Sequence, residues 1–159
     1  MSVHAATIRN SAKALIFRDR SILLQSCRID GQVVHLLPGG TQEFGESLDA
    51  TVRREVWEEA GLRIEVVALL WVQEFIARNH IAVIGNGDHA VQFIFRCIAE
   101  ADAEIGDGSL PDAAQLGVRW VPLAELPLLT VWPEEVKRRL IAWDRNGREL
   151  SHAYLGDCR

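Results

Sequence analysis

Residues 40–62, GTQEFGESLDATVRREVWEEAGL, decide the fold. Ser47 is suited to cap a helix, and Asp49 favours its first turn. Leu48, Val52 and Val56 recur every four residues and make one apolar stripe, and Gly61 supplies the stop. The pattern predicts a helix from Ser47 to Ala60. Glu55, Glu58 and Glu59 lie three and four residues apart, so their carboxylates share one face within about 100°. Crowded carboxylates repel one another, and a divalent cation among them reverses the sign of that interaction. Oxygen-only donors suit Mg²⁺, Mn²⁺ or Ca²⁺ and do not suit zinc.

The flanks extend the same reading. Glu46 ends a glycine-containing loop and can fold back toward the acidic face. Arg54 can orient a carboxylate with a forked pair of hydrogen bonds. Gly39 and Gly40 let the backbone approach a ligand, and a bare carbonyl there offers one more oxygen. A Glu-rich helix face is ordinarily solvated surface. That plainer reading leaves Pro38-Gly39-Gly40, Glu46, the Arg54-Glu55 pair and Gly61 without a common reason. Trp57 falls on the side away from the three glutamates and is assigned to packing.

Working outward, Ile8 to Gln25 holds two apolar runs, Ala12 to Phe17 and Ile22 to Gln25, around Arg18-Asp19-Arg20, which reads as a β-hairpin. Val33 to Leu37 reads as a strand, broken by Pro38-Gly39-Gly40. Ile64 to Phe75 and Val91 to Ile98 read as long strands, with a turn at Gly85-Asn86-Gly87-Asp88 between them. Residues 102–115 read as a loop and Val118 to Val121 as a short strand. A helical turn starts at Pro122, and Pro133 fits the first position of a final amphipathic helix reaching about Trp143. Residues from about 146 to 159 read as a loosely ordered tail. The order of elements implies one α+β domain over residues 1–159.

Composition narrows the class. The chain has 159 residues, 48% hydrophobic and 25% charged, and a net charge of −5. That balance argues against a nucleic-acid polymer as partner, which needs clustered Lys and Arg. Three widely spaced cysteines give no disulfide framework or zinc motif, and Cys27 and Cys97 read as buried thiols. No apolar stretch is long enough to span a membrane, and the start carries no leader pattern, so the expected location is cytoplasmic.

The segment resembles the Nudix box: Gly, five residues, Glu, seven residues, Arg-Glu, an apolar residue, any residue, Glu-Glu, any residue, Gly, an apolar residue. Gly40, Glu46, Arg54, Glu55, Val56, Glu58, Glu59, Gly61 and Leu62 fill every fixed place. Leu37-Pro38-Gly39, Glu43, Gly45 and the later Trp120-Val121-Pro122-Leu123-Ala124-Glu125-Leu126 are similar to common family usage. The resemblance implies an α/β/α sandwich around a central mixed sheet. It implies Glu58 and Glu59 as principal metal ligands, Glu55 as a third ligand or the base, and the Gly39 carbonyl completing the shell. Glu46 would support or extend the metal site, and Arg54 would hold the glutamates.

The expected function is Mg²⁺-dependent hydrolysis, with Mn²⁺ as substitute, of a pyrophosphate bond in a small nucleotide. ADP-ribose or another nucleoside diphosphate sugar leads. A nucleoside triphosphate, damaged ones included, is the alternative, and dinucleoside polyphosphates stay open. A non-catalytic nucleotide-binding module of the same fold is the rival from another class. Isopentenyl diphosphate isomerisation would need a catalytic cysteine motif that Cys27 and Cys97 lack.

Glu55, Arg54 and Glu58 are the expected catalytic group. Glu74 on its strand and Asp112 in its loop are further candidates for the base or for substrate contact, against outward-facing acids as the plain reading. His80 and His89 can touch a base or phosphate, and Trp71, Phe75, Phe93 and Phe95 can stack on a nucleobase, though strand aromatics are usually core. A homodimer through a strand edge is a further expectation.

Overall fold

Successive side chains of the first strand, β1 (Ile8–Arg18), point to opposite faces of the sheet, and both faces are covered, so this one strand feeds both layers of the core. Leu15 joins one apolar cluster and Ala14 and Ile16 join the other. In β2 (Ser21–Ile29), Ile22 and Leu24 face the first cluster and Leu23 the second. The computed structural model describes residues 7–80, 89–106, 115–147 and 150–158. The elements that follow are β3 (Gln32–Leu36), β4 (Gly39–Thr41), α1 (Leu48–Ala60), β5 (Ile64–Ile76), β6 (His89–Ala99), β7 (Gln115–Pro122), β8 (Val131–Trp132), α2 (Glu134–Asn146) and β9 (Ala153–Asp157).

The strands form one mixed sheet in the order β8-β3-β2-β1-β6-β5-β9, with β4 also on β1 and β7 also on β2. β1 runs parallel to β6 from Ile8↔His89 to Ile16↔Cys97, and meets β2 only near the hairpin tip, at Phe17↔Ile22 and Arg18↔Ser21. Val52, Val56 and Ala60 of α1 pack on one face of the sheet, and Val136 and Leu140 of α2 on the other. This is the expected α/β/α sandwich.

Helix α1 begins and ends where its sequence directs. The Ser47 side chain accepts from the Ala50 amide, and Gly61 adopts φ 63° and donates to the Trp57 carbonyl. Cys27 and Cys97 are buried as expected, and burial pushes the Cys97 thiol up to about 12.

Four expectations need correction. Gly39–Thr41 does not end regular structure: it pairs antiparallel with Ser11–Lys13, a long-range partnership that outweighs local breaking by Pro38-Gly39-Gly40. The end of the chain is not a loose tail: Ala153–Asp157 runs parallel to β5, and Trp71 Nε1 donates to the Ser151 carbonyl at 2.9 Å. Pro133 sits one position earlier than expected, at the cap of α2. Trp57 is 48% exposed, and the Arg63 guanidinium lies 5.7 Å from its ring centroid, so it contributes little to the core. The turn expected at Gly85-Asn86-Gly87-Asp88 lies outside the described residues.

Candidate active site

The site forms where α1 meets β4. Glu59, in the last turn of α1, turns back onto the sheet: its Oε2 accepts from the Gly39 amide at 2.9 Å and its Oε1 from Gln25 Nε2 at 3.0 Å. Burial raises its carboxyl to about 7, with nearby Glu55 acting the same way. Lys13, the Gly39 amide and Gln25 pull against that rise. Glu55 lies against Gly40, where a Cβ would come within 2.5 Å of its carboxyl carbon and both oxygens. Gly40 is in turn tied to β1, because Ser11 Oγ donates to its carbonyl at 2.9 Å.

Arg54 gathers the remaining acids. Its Nε and Nη2 form a fork on the two oxygens of Glu46, at 2.7 and 3.0 Å. Its Nη1 reaches Glu55 Oε1 at 3.0 Å and Glu58 Oε2 at 3.2 Å. Nη2 also donates to the Thr41 carbonyl at 3.1 Å. Glu46 Oε2 accepts further bonds from the Glu43 amide and from Thr51 Oγ1. Chiefly through Arg54, the Glu46 carboxyl is held down to about 2. Both Glu46 oxygens are thus hydrogen-bonded, Oε1 by Arg54 and Oε2 by Arg54, the Glu43 amide and Thr51.

Lys13 is the site residue that sequence reading missed. It projects from β1 opposite Gly39, and its ammonium donates to the Gly39 carbonyl. Burial lowers its pKa, while Glu59 and Glu55 oppose that shift. The available signal was a lone charge inside the apolar run Ala12 to Phe17. Gln25 was missed as well; it is buried among apolar neighbours at the point where β2 passes Glu59.

A cavity of about 210 Å³ opens beside Lys13, on the sheet face opposite α1. Arg9, Gln73, Phe75, Gln92, Trp132 and His80 are among its lining residues. Phe75 stacks on His80 with centroids 5.3 Å apart. His80 in turn meets Asp157 Oδ1 at 2.7 Å. Trp71, by contrast, is core, and Phe95 packs against the α1-side cluster.

The other expected substrate residues fall elsewhere. Glu74 meets His89 Nε2 at 3.3 Å and accepts from the Tyr154 hydroxyl, and these contacts hold its carboxyl below its ordinary value. Strand alternation turns Glu74 away from the cavity that Gln73 and Phe75 line. Asp112 lies outside the described residues.

Among the described residues, no group of three or more His, Cys, Asp or Glu side chains is already gathered into an ion cage. Arg54 pairs with Glu46, Glu55 and Glu58, and the Lys13 charge is felt by Glu59 and Glu55. The donor set still suits a hard dication: carboxylate oxygens, one backbone carbonyl, and a glycine leaving room against Glu55. No described helix is long and apolar enough to cross a membrane.

Comparison with known proteins identifies the family. The family model for the NUDIX domain matches residues 7–144. The NAD-capped RNA hydrolase NudC of Shigella dysenteriae is 32% identical over 126 residues, 79% of this chain and 43% of that protein. The human 8-oxo-dGDP phosphatase NUDT18 is 32% identical over 111 residues, 69% of this chain and 30% of that protein. The chain thus spans less than half the length of these relatives. A NUDIX hydrolase from Nitrosomonas europaea shares the fold with a TM-score of 0.69 at 20% identity, covering 98% of this chain and 81% of that one. A match running through most of the chain, on top of a complete box folded onto one helix and its entry loop, places this protein in the NUDIX family.

Proposed function

We propose that this chain uses water to cleave a pyrophosphate bond in a nucleoside diphosphate linked to another group, ADP-ribose or a nucleoside diphosphate sugar first among them. The observation that carries the reading is the convergence of Glu55 and Glu59 on the Gly39–Gly40 backbone, with Glu58 joined to Glu55 through Arg54. Glu55, Glu58, Glu59 and the Gly39 carbonyl would hold Mg²⁺ or Mn²⁺. When bound, the ion offsets the phosphates' charge and stabilises the leaving oxygen.

The remaining work belongs to side chains. Arg54 fixes the orientation of Glu55 and Glu58 from its anchor on Glu46. Glu55, pressed against Gly40, is the candidate to take a proton from the attacking water. The cavity beside Lys13 supplies apolar and aromatic walls of the kind a nucleobase or sugar uses. The name of the NudC relative supports a substrate with a pyrophosphate bridge. That of NUDT18 speaks of a damaged nucleoside diphosphate, which lies nearer the second reading, a nucleoside triphosphate with damaged ones included.

In the same reading the protein acts in the cytoplasm. β9, at the end of the sheet, offers an edge to a second copy. The test is a panel of nucleotides incubated with Mg²⁺, with products identified by mass. A nucleoside monophosphate released from ADP-ribose or a related compound supports the proposal. No turnover on any member, with Mg²⁺ or Mn²⁺, leaves only a nucleotide-binding module.

A further inference from the structure

We infer that Lys13 is a built-in counter-ion of the carboxylate cluster: it must release the Gly39 carbonyl before a dication can be accepted there, and it then turns to the substrate's phosphates. This rests on the metal reading proposed above.

Four observations carry it. Lys13 stands in a strand whose neighbours Ala12, Ala14, Leu15 and Ile16 are fully buried, an expensive position for a long cation without a task. Its ammonium is bonded to the carbonyl expected to serve as a metal ligand. It feels the charges of Glu59 and Glu55, the carboxylates that meet the Gly39–Gly40 backbone. It also lines the cavity, alongside Arg9 and Gln92, so a side chain leaving Gly39 has open space to turn into. An ammonium and a dication repel one another at close range, so the two do not share one carbonyl.

The sign of the effect separates this from a supporting role. A residue that helps build the metal site weakens metal binding when removed; a resident competitor strengthens it. The experiment measures Mn²⁺ affinity by electron paramagnetic resonance of the free ion in wild type, Lys13→Met and Lys13→Gln. It also measures binding of α,β-methylene-ADP at saturating Mg²⁺.

Both variants are expected to bind Mn²⁺ at least about tenfold more tightly, the effect of removing one like charge at close range. They are expected to bind the nucleotide analogue at least about tenfold more weakly, having lost a phosphate partner. Where Lys13→Met does not melt cooperatively, Lys13→Gln decides. Mn²⁺ affinity unchanged or weakened, or analogue affinity unchanged, overturns the role of Lys13 and leaves the metal reading standing. Absence of Mn²⁺ binding in wild type and both variants overturns the two together.

Discussion

The Gly39 amide donates a 2.9 Å hydrogen bond to Glu59, twenty residues further along the chain, and so joins the loop before α1 to that helix's last turn. The same peptide segment turns its carbonyl to Lys13. Loop and helix are therefore one unit, and small changes in the loop reach the carboxylates directly.

Gly40→Ala places a methyl within 2.5 Å of the Glu55 carboxylate, the mobile end of a side chain. Melting temperature is expected to hold within a few degrees while turnover falls about 100-fold, the cost of misplacing a reacting group by about 1 Å. Gly39→Ala is the contrasting case. Gly39 has φ +128°, and its Cβ would run into the Ala12 carbonyl and lie 2.9 Å from Lys13 Cα, both backbone. Loss of about 3 kcal/mol or more is expected in urea unfolding.

Arg54→Lys keeps the charge and loses the fork on Glu46 together with the bonds to Glu55 and Glu58. Hydrolysis is expected to fall about 10–100-fold, as for groups that orient metal ligands. Steady-state kinetics at several Mg²⁺ concentrations check this, and unchanged kinetics would remove Arg54 from its orienting role.

Glu46 sets a pH dependence. Its folded pKa, about 2, lies below the ordinary value of 4.5, so its contribution to stability is complete above about pH 4.5 and is lost as pH falls toward 2. Thermal melts of wild type and Glu46→Gln should differ most near pH 7 and converge near pH 2. A difference constant across that range contradicts the assignment.

Asp157 fastens the C-terminal strand. It accepts from the Ile76 amide, Asn79 Nδ2 and His80, at 2.9, 2.8 and 2.7 Å, and these bonds outweigh burial in holding its carboxyl below the ordinary value. Asp157→Ala is expected to lower the melting temperature by about 2–4 °C, the shift that ~1 kcal/mol gives a domain of this size. Hydrogen exchange at the Ile76 amide should rise with it.

Helix α1 was legible in the sequence because its cap, stripe and stop are local signals, and the three glutamates follow from its period. What sequence reading missed depends on distant partners. β4 exists because Ser11–Lys13 pairs with it. β9 exists because Asp157 and the Ser151 carbonyl find donors some 80 residues away. Lys13 carried a visible signal, a charge in an apolar strand, but its meaning depends on the strand that brings Gly39 opposite. Glu74 as a base or substrate contact and His89 as a base or phosphate contact were expectations from sequence, and the β5–β6 pairing joins the two to each other.

The central claim is that the α1 carboxylates serve a dication during hydrolysis. The most direct measurement compares nucleotide turnover by wild type and Glu58→Gln, each in Mg²⁺ and in excess chelator, with melting curves recorded alongside. Wild type should turn over only with Mg²⁺, and Glu58→Gln should lose at least about 100-fold with its melting curve little changed, because losing a ligand costs more than losing a ligand's support. Turnover that survives the chelator, or a Glu58→Gln variant as fast as wild type, would contradict the account.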